Sequence, residues 1–539
     1  MPAFATLQPN NVLAKLAFDD VCSFFLSQRQ NTQEHAYRRM HIDSRPEFDA
    51  DVFRYQLRPR TEADADVSDT ETFVSLSELH TKLEKERLGR HYTGHYLLSF
   101  DSEPLVPKRG YTFGKGSIGN EFDFLLCTKT FAGKFNIELQ NPHAIISFYR
   151  ENRGLYITSG PRSRCTELTL NGVSVQQHRH ALNQNKMIIR FDRLEYTFQW
   201  TDYAQEDAFM KKRNRYVIEH LDGPTEVDVE MQTPLPNTRT IGRWTLGQAL
   251  GAGTYGRVFR ATSSQGQIAA IKILERTPYD YAIKNAEVQR CQELSEYAKE
   301  ADTGERILRV IEVFDDDHQR IQSQSVFDQI AVVMQPITTQ TFRDLCDQAQ
   351  VSLFLKDGGP CGMKIETARV FREALLGLQD MHKGGWVHRD LKPSNIGVVG
   401  QPHRAVLLDL GTSEHIQQDG SIFPAEGCIG TLNYIAPEME RRNYNHSVDI
   451  WSMGVILYYL TYGYHPWEMA ENPWSPSQND NQLQETFNRL YMSAVQQMLN
   501  DHLSARENPI EGYIHPIYNQ HSSQITNQMV NLQSLSVLL

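Results

Sequence analysis

Asp390, Lys392 and Asn395 lie within the stretch Trp386-Val387-His388-Arg389-Asp390-Leu391-Lys392-Pro393-Ser394-Asn395, and a fourth polar residue, Asp409, follows the apolar run Val406-Leu407-Leu408. Residues of these types at this spacing could carry phosphoryl transfer. That reaction asks for a carboxylate near the attacking hydroxyl, a cation near the moving phosphoryl group and two oxygen ligands for Mg²⁺, because most of the catalysis is positioning and charge neutralisation. Asp390 and Lys392 supply the first two, and Asn395 and Asp409 the metal ligands. The apolar run reads as a buried strand that delivers Asp409-Leu410-Gly411 to the site.

The spacing of these loops resembles the catalytic and metal-binding loops of eukaryotic protein kinases. The resemblance covers roughly the C-terminal half and implies ATP as substrate and Mg²⁺ as cofactor. Other segments fall in the family's order. Leu250-Gly251-Ala252-Gly253-Thr254-Tyr255-Gly256-Arg257-Val258 is a glycine loop whose backbone N–H groups can approach phosphates, with Val258 over the adenine. Ala270-Ile271-Lys272 follows on an expected strand from Ile268 to Leu274, and Lys272 is implied to hold the α- and β-phosphates. Glu287 is preferred to Glu293 as its acidic partner. Ile330 to Met334 reads as a strand leading to a hinge, Gln335-Pro336-Ile337, with Met334 as gatekeeper. Glu366 to Met381 carries a helical apolar stripe that presents the catalytic loop. Gly430-Thr431 and Asp449 fit the end of the activation segment and a buried cap on the catalytic loop, and Glu438 is implied to pair with Arg506. Lys392 together with Gly430-Thr431 implies serine or threonine as acceptor.

Some positions depart from the family. Leu410 replaces the usual phenylalanine, Gly397 sits where an apolar residue floors the adenine pocket, and the short interval from Trp467 to Arg506 implies a trimmed C-lobe. Gln340, Ser394 and Tyr459 stand where relatives that prefer an upstream arginine place glutamates, which leaves the acceptor motif open. Arg389 implies an activation segment, Thr412 to Ile435, ordered against it. Gly427 occupies the position of the usual activating phosphothreonine, so the expected partner of Arg389 is a phosphate on Ser421 or the carboxylate of Glu426.

Upstream, from His91 to Trp200, short runs rich in β-branched and aromatic residues alternate with Gly, Asn, Asp and Pro, the pattern of a β-sandwich. Phe113-Gly114-Lys115 after the second strand, Asn141-Pro142-His143 before the next and Leu170-Asn171-Gly172 on a hairpin resemble the forkhead-associated (FHA) domain, a phosphothreonine-binding sandwich. The resemblance implies a pocket made of Lys115, Gln140, Asn141 and Thr166, with lysine in place of the family's arginine. The fold class is then an FHA-type all-β sandwich followed by a two-lobed α+β kinase domain. The expected boundaries are an N-terminal extension 1–90, partly disordered, a sandwich 91–200, a linker 201–240, a kinase domain 241–508 and a tail 509–539. Within the extension, Leu13 to Leu26 and Ser75 to Leu88 read as helices, and the acidic stretch from Thr61 has too few apolar residues to fold. The run Lys211-Lys212-Arg213-Asn214-Arg215 reads as a solvated helix face in preference to a nuclear-localisation signal.

Composition bounds the remaining readings. The net charge of −12 over 539 residues argues against a sequence-independent nucleic-acid binder, and seven scattered cysteines without a CxxC pair argue against zinc and for reduced intracellular thiols. No apolar run is long enough to span a bilayer. An FHA sandwich ahead of a kinase domain resembles the checkpoint-kinase family. This implies protein substrates with Ser/Thr acceptors, a phosphothreonine-bearing adaptor or a second copy as partner, and a nuclear or otherwise cytoplasmic location. A pseudokinase scaffold and a phosphopeptide adaptor with incidental kinase activity remain the alternatives.

Overall fold

The computed structural model describes residues 2–27, 37–56, 89–116, 122–161, 167–175, 178–253, 256–315, 328–338, 340–344, 362–400, 402–416, 429–436, 439 and 444–462. The chain divides into two compact units, Met1–Gln248 with Ala261–Ile268, and Ala249–Arg260 with Ala269–Leu539.

The first unit is a sandwich of a seven-stranded and a five-stranded sheet. Each expected run from His95 to Trp200 forms a strand. Lys186–Phe191 shows why: Met187, Ile189 and Phe191 are buried while Lys186, Ile188 and Arg190 face out, the period-two alternation of a half-buried strand. The inner faces meet through aromatic rings, with Phe113 of the smaller sheet 5.6 Å from Phe191 of the larger. Arg39 and Asp123 form a buried ion pair at 3.2 Å, and Asp123 also accepts from Thr112 Oγ1 and from the amides of Leu105 and Thr112.

The sandwich is larger than the expected 91–200. Strand Ala5–Pro9 is inserted between Leu194–Trp200 and Gly94–Leu98, and Met40–Ile42 forms the edge beyond Gly94–Leu98. Helix Val12–Ser27, close to the expected Leu13 to Leu26, buries Leu13, Phe18 and Phe25. The segment expected as a linker also contributes. Helix Asp207–Leu221 packs Phe209, Tyr216 and Val217 into the sandwich core. Of its basic run, expected to be solvated, Lys211 and Arg215 are exposed, whereas Arg213 is buried against Glu230 and Lys212 pairs with Asp101. The tip Ala261–Ile268 is received in the same unit, where Asn183 Nδ2 donates to Thr262 O, the Ala181 amide to Ser264 O and Asn152 Nδ2 to Gly266 O, each at 2.8 Å.

A six-stranded sheet runs in the spatial order Thr240–Ile241, Trp244–Gly253, Gly256–Ser263, Ile268–Arg276, Asp328–Gln335 and Arg309–Asp315. The register Lys272↔Val332 fixes Lys272 opposite the strand that ends at the hinge. Helix Tyr281–Glu300 carries Glu287 on its buried side. Helix Gly362–Lys383 buries Val370, Phe371, Ala374, Leu375, Leu378 and Met381, the stripe read from the sequence. Two short ladders follow. Ile396–Val399 pairs with Arg404–Leu407, and Trp386–Val387 pairs with Glu414–His415. Helix Ser447–Tyr462 brings the fully buried Asp449 beneath the catalytic loop. The acidic stretch with Thr61, the expected helix Ser75 to Leu88, Thr166, Ser421, Glu426, Gly427, Glu438, Arg506, the trimmed C-lobe and the tail lie outside the described residues.

Candidate functional sites

Lys272 stands at the centre of the second unit's cleft. Its Nζ donates to Glu287 Oε1 at 2.8 Å and to Asp409 Oδ1 at 3.1 Å, so three distant segments converge on one cation. Glu287, and not Glu293, is therefore the partner. The approach needs Gly411, since a Cβ there would lie 2.6 Å from Glu287 Oε1. Burial alone would lower the Lys272 pKa, but Asp409 and Glu287 outweigh it and hold the lysine above its ordinary range. Burial would raise that of Asp409, and Lys272 with His388 and Lys392 outweighs it, keeping the carboxylate below the ordinary range.

Asp390, six per cent exposed, is the hub of the catalytic loop. Lys392 Nζ donates to Asp390 Oδ2 at 2.9 Å and to Thr431 Oγ1 at 2.9 Å, and the Thr431 hydroxyl donates to Asp390 Oδ1 at 2.7 Å. Asn395 Nδ2 donates to the Asp390 carbonyl at 2.7 Å, which leaves its Oδ1 as the ligating atom. The loop is held from below by Asp449, whose Oδ2 accepts from the His388 amide at 2.8 Å and whose Oδ1 accepts from the Arg389 amide at 2.9 Å. His388 Nδ1 accepts from the Asp390 amide, so the Nε2–H donates to Leu408 O at 2.9 Å and joins the loop to the strand before Asp409.

These groups border a cavity of about 360 Å³. Leu250, Gly251, Gly256, Val258, Ala270, Lys272, Met334, Asn395 and Asp409 line it, as the sequence implied. At the hinge, however, Pro336 and Thr338 are among the lining residues, while Gln335 and Ile337 are not. The glycine at 397 is compensated. A Cβ there would lie 2.5 Å from Thr338 Cγ2 and 3.0 Å from Leu408 Cδ1, so those two side chains occupy the floor. Leu410 is three per cent exposed and fills the apolar place of the expected aromatic ring. Cys291 also lines the cavity, and burial pushes its thiol up to about 12, which keeps it protonated and unreactive at neutral pH.

Among the described residues, no cluster of three His, Cys, Asp or Glu side chains could hold a metal ion by itself. Mg²⁺ does not need one: it binds through one or two protein oxygens and completes its octahedron with water and substrate phosphates. The oxygens of Asn395 and Asp409, both on the cavity wall, fit that requirement.

Arg389 has a partner that the sequence did not suggest, while the expected Ser421 and Glu426 lie outside the described residues. Its guanidinium meets Glu414, with Nη2 3.3 Å from Oε2, and also donates through Nε to Thr412 O at 2.7 Å. The signal was present in the sequence as an acid five residues after Asp409, but its significance depends on the short ladder that turns it toward the loop.

In the first unit, Phe113, Gly114 and Lys115 lie within strand Tyr111–Gly116 and not after it. Asn141 Oδ1 accepts from the Lys115 amide at 3.0 Å, which brings Lys115, Gln140 and Asn141 to one end of the smaller sheet. Beneath them His143 Nδ1 accepts from the Gln140 amide at 3.2 Å, and burial pushes the imidazole down to about 4.

A glycine-bordered cleft with a Lys–Glu–Asp triangle above an Asp–Lys–Asn loop defines a phosphotransferase built around a nucleoside triphosphate. The Protein kinase domain family matches residues 244–531, and the chain belongs to it. CBL-interacting serine/threonine-protein kinase 8 of Arabidopsis thaliana is 28% identical over 249 residues, 44% of this chain and 47% of that protein. Calcium/calmodulin-dependent protein kinase type 1 of Caenorhabditis briggsae is 29% identical over 242 residues, 44% of this chain and 60% of that protein. Calcium-dependent protein kinase 4 of Plasmodium falciparum is 39% identical over 106 residues, 19% of this chain and 20% of that protein. The chain thus spans about half the length of the first two relatives.

Proposed function

We propose that the protein is a serine/threonine protein kinase that uses ATP with Mg²⁺ and is brought to its partners by an FHA-type sandwich. The observation that carries the kinase reading is the hydroxyl of Thr431 at 2.7 Å from Asp390, bridged by Lys392. A side-chain hydroxyl thereby already makes the contact an acceptor serine or threonine needs. In the reaction the acceptor oxygen forms a bond to the γ-phosphorus, the bond from that phosphorus to the β,γ-bridging oxygen breaks, and ADP leaves. The acceptor's proton passes toward Asp390, while Lys392 balances charge on the moving phosphoryl group. Lys272, fixed by Glu287, holds the α- and β-phosphates, with Leu250, Val258, Ala270 and Met334 around the base. Mg²⁺, held by Asn395 and Asp409, supplies further charge neutralisation when bound. The names of the relatives support the Ser/Thr assignment.

The sandwich supports the second half of the reading through Lys115, a cation beside two carboxamides at one sheet end. We extend this to recruitment by phosphothreonine on an adaptor or on a second copy, in a checkpoint pathway of DNA damage or meiosis, with a nuclear location. The order of sandwich and kinase domain is what motivates that extension. Transfer of radiolabelled phosphate from ATP to a generic protein substrate by the full chain and by Asp390→Ala tests the kinase reading; equal incorporation would refute it. Capture of partners by the wild-type chain, with loss on phosphatase treatment of the lysate and in Lys115→Ala, tests the recruitment reading.

A further inference from the structure

We infer that Glu414 is the standing counter-charge of Arg389, so that the catalytic loop is held in its working form with no phosphate on the activation segment. The inference rests on the kinase reading above.

Arg389 is a demanding residue. Its side chain is one per cent exposed, its backbone sits at φ +69°, in the left-handed region, and it immediately precedes Asp390. A guanidinium so buried must meet an anion or stay costly, and a kinase that needs activation leaves that anion to be added later as phosphate. Here the anion is already present. Glu414 Oε2 lies 3.3 Å from Nη2, while Thr412 O takes Nε at 2.7 Å and the Tyr444 hydroxyl lies 3.4 Å from Nη1.

The acid's position is fixed from the loop side. Glu414–His415 pairs antiparallel with Trp386–Val387, with Glu414 opposite Val387, two residues before Arg389. The Ile416 amide continues the connection to Gly385 O at 2.7 Å, and the Thr412 hydroxyl donates to His388 O at 3.1 Å. The carboxylate is thus delivered by a ladder onto the strand that leads into the catalytic loop. From Arg389 the order passes directly to Asp390 and, through that carboxylate, to Thr431 and Lys392. Glu414 touches no reacting atom in this scheme. It is a positioning residue that acts through Arg389. A second consequence follows from charge: a phosphate brought to Arg389 would meet a carboxylate already in place, so modification near this site should give no activation.

The test uses the full chain purified from a eukaryotic host, before and after phosphatase treatment, with intact mass confirming complete removal of phosphate. Transfer to myelin basic protein is measured as kcat and as KM for ATP. The dephosphorylated wild type should keep at least half of its kcat. Glu414→Gln should lose tenfold or more in kcat with KM for ATP within twofold of wild type, and Glu414→Asp should recover part of the loss, a split that a general packing defect would not produce. If the untreated protein is active and phosphatase silences it, or if Glu414→Gln matches wild type, the inference fails while the kinase reading stands. If neither form transfers phosphate, the kinase reading itself fails and the inference with it. Should Glu414→Gln prove unfolded by thermal melting, the comparison of treated and untreated wild type decides alone.

Discussion

The cleft and the sandwich end differ in how their chemistry is held. In the cleft, Lys272, Glu287 and Asp409 come from a strand, a helix and a loop, and each fixes the others through bonds of 2.8 and 3.1 Å. At the sandwich end, Lys115 and Asn141 share one bond between a side-chain oxygen and a backbone amide, and the lysine's charge has no such triangle around it among the described contacts. A site built from mutual ion pairs tolerates little change, since each member is both reagent and scaffold. One built from a single clamp holds its members less firmly, and a lysine there offers a point charge without the planar fork of an arginine.

The largest effect that tests this contrast is catalytic. Asp409→Ala and Lys272→Met should each lower kcat/KM by roughly 10²–10⁴-fold, the usual consequence of removing a group that acts on developing charge. Retention of more than about a tenth of wild-type activity by either would break the assignment of the triangle as the phosphate site.

The sandwich should answer in stability instead. Asp123→Ala removes the carboxylate that faces the buried guanidinium of Arg39, leaving that cation to carbonyl oxygens such as those of Ser102 and Glu103, so urea denaturation should show a loss of about 3–5 kcal/mol. Asp409→Ala leaves Lys272 its bond to Glu287 and should cost less than about 1 kcal/mol by the same measure. Equal losses would mean that the cleft carboxylates are structural in the way that Asp123 is.

The same contrast explains what the sequence could and could not tell. The catalytic side chains were legible because their spacing along the chain is fixed by short loops between regular elements, and Asp390, Lys392 and Asn395 are separated by too few residues to go elsewhere. Glu414 was missed because a two-residue ladder has no periodicity to detect, and Ser421 and Glu426 lie outside the described residues. Thr338 and Leu408 were missed as the floor under Gly397 because they meet only in three dimensions. The strand Ala5–Pro9 escaped for another reason. Five residues flanked by a helix look like an extension, and their membership in the sheet depends on partners at Tyr96 to Leu98 and Tyr196 to Trp200 that no local pattern announces. The basic run of helix Asp207–Leu221 was read as a solvated helix face, and what it concealed was the other side, where Phe209, Tyr216 and Val217 anchor the helix to the core.

Acid separates the two regions more finely. His143, with its pKa pushed down from 6.5 to about 4, stays neutral in the fold while the unfolded chain would take up a proton. Its contribution is therefore complete above pH 6.5 and is lost as pH falls toward 4, by about 3 kcal/mol in all. Asp449 is lost in the same direction but at lower pH: burial opposes its charge, but His382 and the His388 amide hold its pKa below 3.8, so its contribution is present above that value and disappears only as pH falls below it. Hydrogen exchange read by mass spectrometry, corrected for intrinsic rates, should show protection falling in Tyr111–Gly116 and Ala144–Phe148 between pH 6.5 and 4 while Trp386–Val387 keeps its own. Parallel loss in both would remove His143 as the cause.

The smallest expected effect would sharpen the comparison most, because it asks whether the sandwich end takes a phosphate at all. Asn141 spends its Oδ1 on the Lys115 amide, so its Nδ2 is left to donate, and on the proposed reading a phosphate would take it, with Gln140 adjacent in the chain. Lys115 contributes a point charge at this place, where an arginine would offer two parallel N–H groups to two phosphate oxygens. Lys115→Arg should therefore tighten binding of a phosphothreonine peptide by about three- to tenfold, and Asn141→Ala should weaken it by a similar factor. Calorimetric titration of the full chain with a phosphopeptide spanning Thr61, which is followed three residues later by Asp64, and with its unmodified twin gives both numbers. Equal affinity for the twins would remove Thr61 of a second copy as the ligand. Failure of every phosphothreonine peptide against both the wild type and Lys115→Arg would mean that the sandwich has kept its fold and its clamp but not phosphate recognition.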